Sequence, residues 1–200
     1  MKSIKLFISM ALLAVGMSVF AQSVVIDENF QSFKEQGWKN DTTCGFKKVD
    51  SKASFKVSKA YNGNKVEYTF NKCGVAPTCE VKKTPSKEGV TKGYVEVNKK
   101  EGELIISEQP FISKIEVAAS AAGDGRGYAL LKSVKGGEWV KVGEYIGNKS
   151  AGADAQSGFV NTIIINESNV SLKFVATMGE SKDGPALQNF RIHNIKAFGK

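Results

Sequence analysis

Apolar and polar residues alternate along most of this chain with a period of two. Val24, Ile26 and Phe30 share one parity, as do Phe55 and Val57, and then Val66, Tyr68 and Phe70. Side chains of a strand point alternately to opposite faces, so this period predicts half-buried β-strands. Further strands are predicted over Tyr94–Val97, Glu103–Ile106, Ile112–Ser120, Tyr128–Val134, Trp139–Ile146, Phe159–Ile165, Val170–Ala176 and Leu187–Phe198. Turn signals separate them: Asn62-Gly63-Asn64, Lys99-Lys100-Glu101-Gly102, Gly136-Gly137 and Asn166-Glu167-Ser168-Asn169. Residues 71–92, rich in Lys, Gly, Pro, Ser and Thr, read as one long loop, and 148–157 and 178–186 as shorter ones. No window beyond the first segment sustains a 3.6-residue apolar period. Many short strands with regular turn signals predict an all-β antiparallel β-sandwich of jelly-roll type, a single domain without internal repeats.

The stretch from Phe111 to Ile146 organises this expectation. A two-residue turn at Gly136-Gly137 sets Val134 opposite Trp139, Lys132 opposite Lys141, Leu130 opposite Gly143 and Tyr128 opposite Tyr145. One face then carries Trp139, Tyr128, Tyr145, Lys132 and Lys141, and the other Leu131, Val140, Val142, Ala129 and Ser133. In the last strand the apolar parity switches at His193-Asn194, which predicts a bulge.

The first 21 residues stand apart. Lys2 and Lys5 precede an apolar run from Leu6 to Phe20, ending in Ser18-Val19-Phe20-Ala21 before Gln22. That run is short for a membrane span and ends in small residues, so residues 1–21 are expected to be a cleaved signal peptide and 22–200 the mature domain. The mature chain is then secreted or periplasmic, with no membrane association after cleavage. Loss of Lys2 and Lys5 leaves 26 basic against 20 acidic residues, net +6. Only Arg126 and Arg191 of these are arginines, whereas nucleic-acid contacts favour the bidentate guanidinium; no nucleic-acid partner is expected. An oxidising compartment favours a disulfide among Cys44, Cys73 and Cys79. The Cys73–Cys79 pair, closing a Gly/Pro loop, is the first expectation, with Cys44 paired to either as the alternative.

Catalytic chemistry finds little support. His193 is the one histidine, and no Gly-x-Ser-x-Gly turn offers it a nucleophile. Asp124, Asp154, Glu180 and Asp183 occupy loops, but nothing in their spacing selects an acid–base pair. Gly123-Asp124-Gly125-Arg126-Gly127 joins two strands and so lacks the helix N-terminus that lets a glycine-rich loop hold phosphate. No metal or other cofactor is expected from a motif; a structural calcium would draw on Asp27 or Glu28. Two readings of the aromatic face stay open. In one, Trp139, Tyr128 and Tyr145 stack on sugar rings while Lys132 and Lys141 meet hydroxyls or uronate carboxylates; in the other, the rings are core. Asp124, Arg126, Asn161, Asp183, Gln188, Asn189 and Arg191 are further candidates at the rim.

The segments GYVEV, GELIISEQPFISKIEVAAS and GDGRGYALLKSVKGGEWVKVGEY, followed by VSLKFVAT and GPALQNFRIHNIKAFG, span about Gly93 to Lys200. This pattern resembles the galactose-binding-like β-sandwich domains found beside secreted bacterial polysaccharide lyases, including those of pectate-lyase type. The resemblance implies a jelly-roll sandwich with a non-catalytic carbohydrate-binding or accessory role, its partner a polysaccharide, an acidic pectin-like one being the expected choice. The resemblance further implies that the catalytic domain normally found alongside such modules is not expected within these residues, and no site motif of the family maps onto this chain. The competing expectation is a structural or protein-interaction module of the cell envelope.

Overall fold

The computed structural model describes residues 22–37, 49–81, 91–120, 127–146, 159–181, 184–187 and 190–200. Among these residues the chain forms strands and no helix, and no helix long and apolar enough to cross a membrane is present. The strands are β1 (Val24–Glu28), β2 (Ser54–Tyr61), β3 (Asn64–Asn71), β4 (Cys73–Val81), β5 (Thr91–Val97) and β6 (Glu103–Ser120). They continue as β7 (Gly127–Val134), β8 (Val140–Ile146), β9 (Phe159–Ala176), β10 (Met178–Ser181), β11 (Gly184–Leu187) and β12 (Phe190–Phe198). All pairings among them are antiparallel, so the all-β antiparallel sandwich expected from the alternation is the fold that forms.

Two long strands build both layers. The first part of β6 pairs with β3 on one side and with the end of β9 on the other, Tyr68↔Ile106 and Leu104↔Phe174. Its last part pairs with β12 and with the start of β9, Val117↔Ile195 and Val117↔Asn161. Register slips between Ile106 and Gln109 and between Ile112 and Lys114 bend the strand from one layer into the other. Layer one therefore runs β2-β3-β6-β9-β7-β8, and layer two β4-β5-β12-β6-β9, with β1 beside the end of β12. The inward parities of the layers supply one core, with Tyr68, Phe70, Leu104, Tyr128, Leu130 and Phe174 facing Val95, Ile115, Val117, Phe190, Ile192 and Ile195. Each such side chain stabilises the fold by roughly 1.5–3 kcal/mol through removal from water.

Several expectations are corrected here. Residues 103–106 and 112–120 belong to one strand, because Gln109-Pro110 bends the backbone without reversing it. The expected hairpin at Asn166–Asn169 is likewise a corner inside β9, where Asn166 and Asn169 take φ of 48° and 51°. Asparagine tolerates this left-handed conformation, so the same residues serve a kink as readily as a turn. Within the loop expected over 71–92, residues 73–81 form β4 and 91–92 open β5, Val75 pairing with Val95, while 82–90 lie outside the described residues.

That strand structure also overturns the Cys73–Cys79 bridge. Cys73 pairs with Val97 and Glu80 with Lys92, five positions apart along β5. Cys79, one residue before Glu80, is thus about four β5 positions from Cys73, roughly 13 Å at about 3.3 Å per residue, against the ~4.4–6.8 Å between Cα atoms that a disulfide spans. Cys73 is instead a buried free thiol whose Sγ donates to the carbonyls of Glu103 at 3.2 Å and Asn71 at 3.3 Å. Cys44 lies outside the described residues.

The bulge expected at His193 is present, the β12–β6 register slipping between Ile192 and Asn194. The β2–β3 turn at Asn62-Gly63 has φ of 49° and 86°, as a two-residue hairpin turn of that type requires.

Candidate functional site

The β7–β8 hairpin decides what the aromatic residues can do. Its turn is at Lys135-Gly136, φ 50° and 70°, one residue earlier than the Gly-Gly pair suggested, with Gly137 N–H donating to Val134 O at 2.9 Å. Val142 is then an extra residue in β8, so Leu131 pairs with Lys141 while Leu130 pairs with Gly143. Below this bulge the expected register returns, Tyr128 opposite Tyr145. Above it every side chain of β8 changes face.

The shared face expected for Trp139, Tyr128, Tyr145, Lys132 and Lys141 is therefore corrected. Tyr128 and Tyr145 point inward and are 0% and 5% exposed. Their ring centroids lie 5.9 Å apart, and Tyr128 packs on Phe174 at 5.4 Å and Phe190 at 5.7 Å. Burial pushes the Tyr145 phenol up to about 12 and that of Tyr128 higher still. Both rings are core. Lys132 pairs with Val140 and sends its Nζ to Glu167 Oε1 at 2.5 Å. Lys141 projects from the outer face of layer one and is ion-paired with Glu144. Trp139, half-buried just before β8, turns to that outer face, where Lys173 Nζ lies 4.6 Å from its ring centroid.

Around Trp139 the outer face of layer one carries two rows of side chains crossing the strands. One is Lys56–Thr69–Ile105–Lys173–Leu131–Lys141, each member the register partner of the next. The other is Ser54–Asn71–Glu103–Val175–Ala129–Glu144. Hydrogen bonds fix the second row: Ser54 Oγ donates to Asn71 Oδ1 at 3.0 Å, and Asn71 Nδ2 to Glu103 Oε2 at 3.2 Å. Lys173 Nζ joins the rows by donating to Glu103 Oε1 at 3.1 Å. Lys56 is tied in the same way to Glu67 at 2.8 Å. Half-buried Ile105, Leu131 and Val175 lie between the polar groups. Antiparallel neighbours place such partners within about 5 Å of one another, so long side chains on adjacent strands touch. The result is a face of fixed donors and acceptors with apolar intervals and one partly exposed indole ring.

Of the residues singled out in the sequence, this face contains Trp139 and Lys141. It also contains Lys173, Glu103, Asn71 and Ser54, which sequence reasoning missed; their outward parity was readable, their neighbours were not. Arg191 lies elsewhere, on layer two, its Nε donating to Glu96 Oε2 at 2.8 Å with the guanidinium 4.6 Å from the Tyr94 ring centroid. Asn161 Nδ2 donates to Tyr128 OH and to Glu144 O, both at 3.4 Å, bridging the layers. Asp124, Arg126, Asp183, Gln188 and Asn189 lie outside the described residues.

The chemistry left for a metal or for acid–base work is limited. Among the described residues no three His, Cys, Asp or Glu side chains come together as a metal site. Glu28 is buried and its carboxylate accepts from Phe30 N at 2.5 Å and from the Tyr61 hydroxyl, while Asp27 accepts from Asn194 Nδ2 at 3.1 Å. His193 is 2% exposed, and burial pushes its pKa down to about 4.

Comparison with known proteins yields no matching family model and no matching curated protein. Solved structures of similar fold do exist. A glycoside hydrolase family 43 arabinoxylan arabinofuranohydrolase from Bacillus subtilis is 13% identical with a TM-score of 0.41 over 73% of this chain. The match covers 27% of that enzyme, so the chain spans about a quarter of its length. The cleaved adhesin domain of Lys-gingipain is 12% identical with a TM-score of 0.41, covering 88% of this chain and 97% of that one. The C-terminal family 6 carbohydrate-binding module of a laminarinase from Zobellia galactanivorans is 19% identical with a TM-score of 0.34, over 59% and 87%.

Proposed function

We propose that the protein is an exported, non-catalytic carbohydrate-binding or accessory domain, and that the outer face of layer one is its binding surface. The observation that carries this reading is the array Trp139–Lys173–Glu103–Asn71. A partly exposed indole ring stands beside polar groups locked by their own hydrogen bonds. Sugars offer a C–H face that packs on an aromatic ring and hydroxyls that both donate and accept, so they match such a face. Rigid strands hold the array, so little ordering cost is left for binding to offset. Export rests on the Met1–Ala21 segment, and the absence of turnover on the missing catalytic motifs together with the burial of His193. The acidic, pectin-like ligand expected from the sequence drew on Lys132 and Lys141, and both of these already hold carboxylates, Glu167 and Glu144.

Affinity electrophoresis through gels containing pectic and neutral polysaccharides tests the reading. At least one polysaccharide should retard the wild-type protein. Trp139→Ala should weaken that retardation by roughly 2 kcal/mol, about thirty-fold in Kd, as loss of an interface aromatic does. Because Trp139 is only half-buried, the variant should keep the wild-type melting temperature. Migration unaffected by every polysaccharide would leave the structural or protein-interaction module of the cell envelope as the function.

A further inference from the structure

We infer that the ligand of this face is a neutral, linear polysaccharide lying across the strands, an inference that rests on the carbohydrate-binding reading above. The charges of the face supply the first argument. Its row of three lysines, Lys56, Lys173 and Lys141, is matched lysine for lysine by Glu67, Glu103 and Glu144, as three separate ion pairs. The chain as a whole carries net +8, yet the formal charge of these six groups is zero. A uronate carboxylate laid on this face meets a glutamate beside each lysine, so it shares an ammonium already neutralised and is repelled by the carboxylate next to it. A hydroxyl has no such conflict. It donates and accepts at once, and each ion pair offers an acceptor oxygen next to a donor nitrogen. Neighbouring hydroxyls of a neutral sugar can therefore bond both members of a pair without separating them.

Register supplies the second argument. The lysine row crosses β2, β3, β6, β9, β7 and β8. Five inter-strand steps of about 4.8 Å make it roughly 24 Å long, a length suited to several linked sugar rings and not to one. Ile105 and Leu131 fall between the lysines in the same row, so polar groups and apolar intervals alternate along the line a chain would follow. The Trp139 ring sits against Lys173, within that line and not at its end.

The test is isothermal titration with neutral gluco-, xylo- and galacto-oligosaccharides of increasing length and with oligogalacturonides. Each is run at ~0.1 M and ~1 M salt, between which the Debye length falls from about 10 to about 3 Å. A neutral series should gain at least about tenfold in affinity from one ring to six, with less than about a twofold change between the two salt concentrations. Oligogalacturonides should bind wild type at least about tenfold more weakly than that series. In Glu103→Gln/Glu144→Gln, which frees Lys173 and Lys141, oligogalacturonide affinity should rise and become salt-sensitive. Wild-type preference for oligogalacturonides, weakening with salt, would overturn neutrality while sparing the carbohydrate reading. Affinity that saturates with a single ring would overturn the extended site. Binding of neither class, with Trp139→Ala indistinguishable from wild type, would overturn both readings together.

Discussion

Lowering the pH should destabilise this fold through one imidazole. His193 sits at the β12 bulge, 2% exposed, 6.1 Å from the centroid of the Tyr94 ring. Burial is the largest influence on it, and the positive charge of Arg191 acts in the same direction, while a backbone hydrogen bond to Gly93 opposes them. Its pKa falls from the ordinary 6.5 to about 4. The unfolded chain takes up a proton as pH drops through about 6.5, and the folded chain does not do so until about 4. The stabilising contribution of the neutral imidazole is thus complete above about 6.5, shrinks through that window and is lost at about 4. At about 1.4 kcal/mol per pKa unit, the gap is worth on the order of 3 kcal/mol. Urea denaturation across this range measures it, provided the carboxylates that titrate in both proteins are subtracted. His193→Gln keeps a neutral donor and removes the titration, so wild type should lose about 3 kcal/mol more than the variant between pH ~7 and ~4. Parallel stability curves for the two proteins would show that this imidazole is not held neutral by burial.

Two further expectations concern the close approach of β8 to β9 and the free thiol. A Cβ at Gly143 would come within 2.7 Å of Ile163 Cδ1 in the facing layer, so Gly143→Val should cost roughly 1–3 kcal/mol by overpacking, and Ile163→Ala should relieve part of the clash. An unchanged thermal midpoint in Gly143→Val would contradict the close approach of β8 and β9. Cys73 is completely buried, and burial pushes its thiol well above the ordinary range, so it should resist alkylation in the native protein and react once unfolded. Peptide mapping distinguishes this from labelling elsewhere, and recovery of a Cys73–Cys79 cross-linked peptide would refute the free thiol.

Much of the architecture was legible because alternation is a local property. The β2–β3 hairpin followed from Asn62-Gly63, and the bulge of β12 from a parity switch at His193. The misreadings arose where one residue type serves two geometries. Asn166 and Asn169 suit a reversal, yet here they turn a corner between two stretches that both pair with β6. The shift in the β7–β8 hairpin was invisible for a different reason: the earlier turn is offset by two extra residues on the second strand, one before Val140 and one at Val142, so the register was right at Tyr128 and wrong at Lys132. The polar rows could not be read at all, since they join residues from Ser54 to Val175 through strand neighbours that only the folded sheet defines.

The passage of β6 and β9 through both layers has a consequence for how the molecule comes apart. Neither layer owns these strands, so peeling open one half strips hydrogen-bond partners from the other. Unfolding should be a single cooperative event, with amides at Leu104 and Val117 exchanging through the same global opening although they belong to different layers. Assembly is correspondingly constrained. Because the pairings that define β6 link residues as distant as Glu103 and Val175, the chain must close long loops before either sheet gains stability, which places it among slow folders.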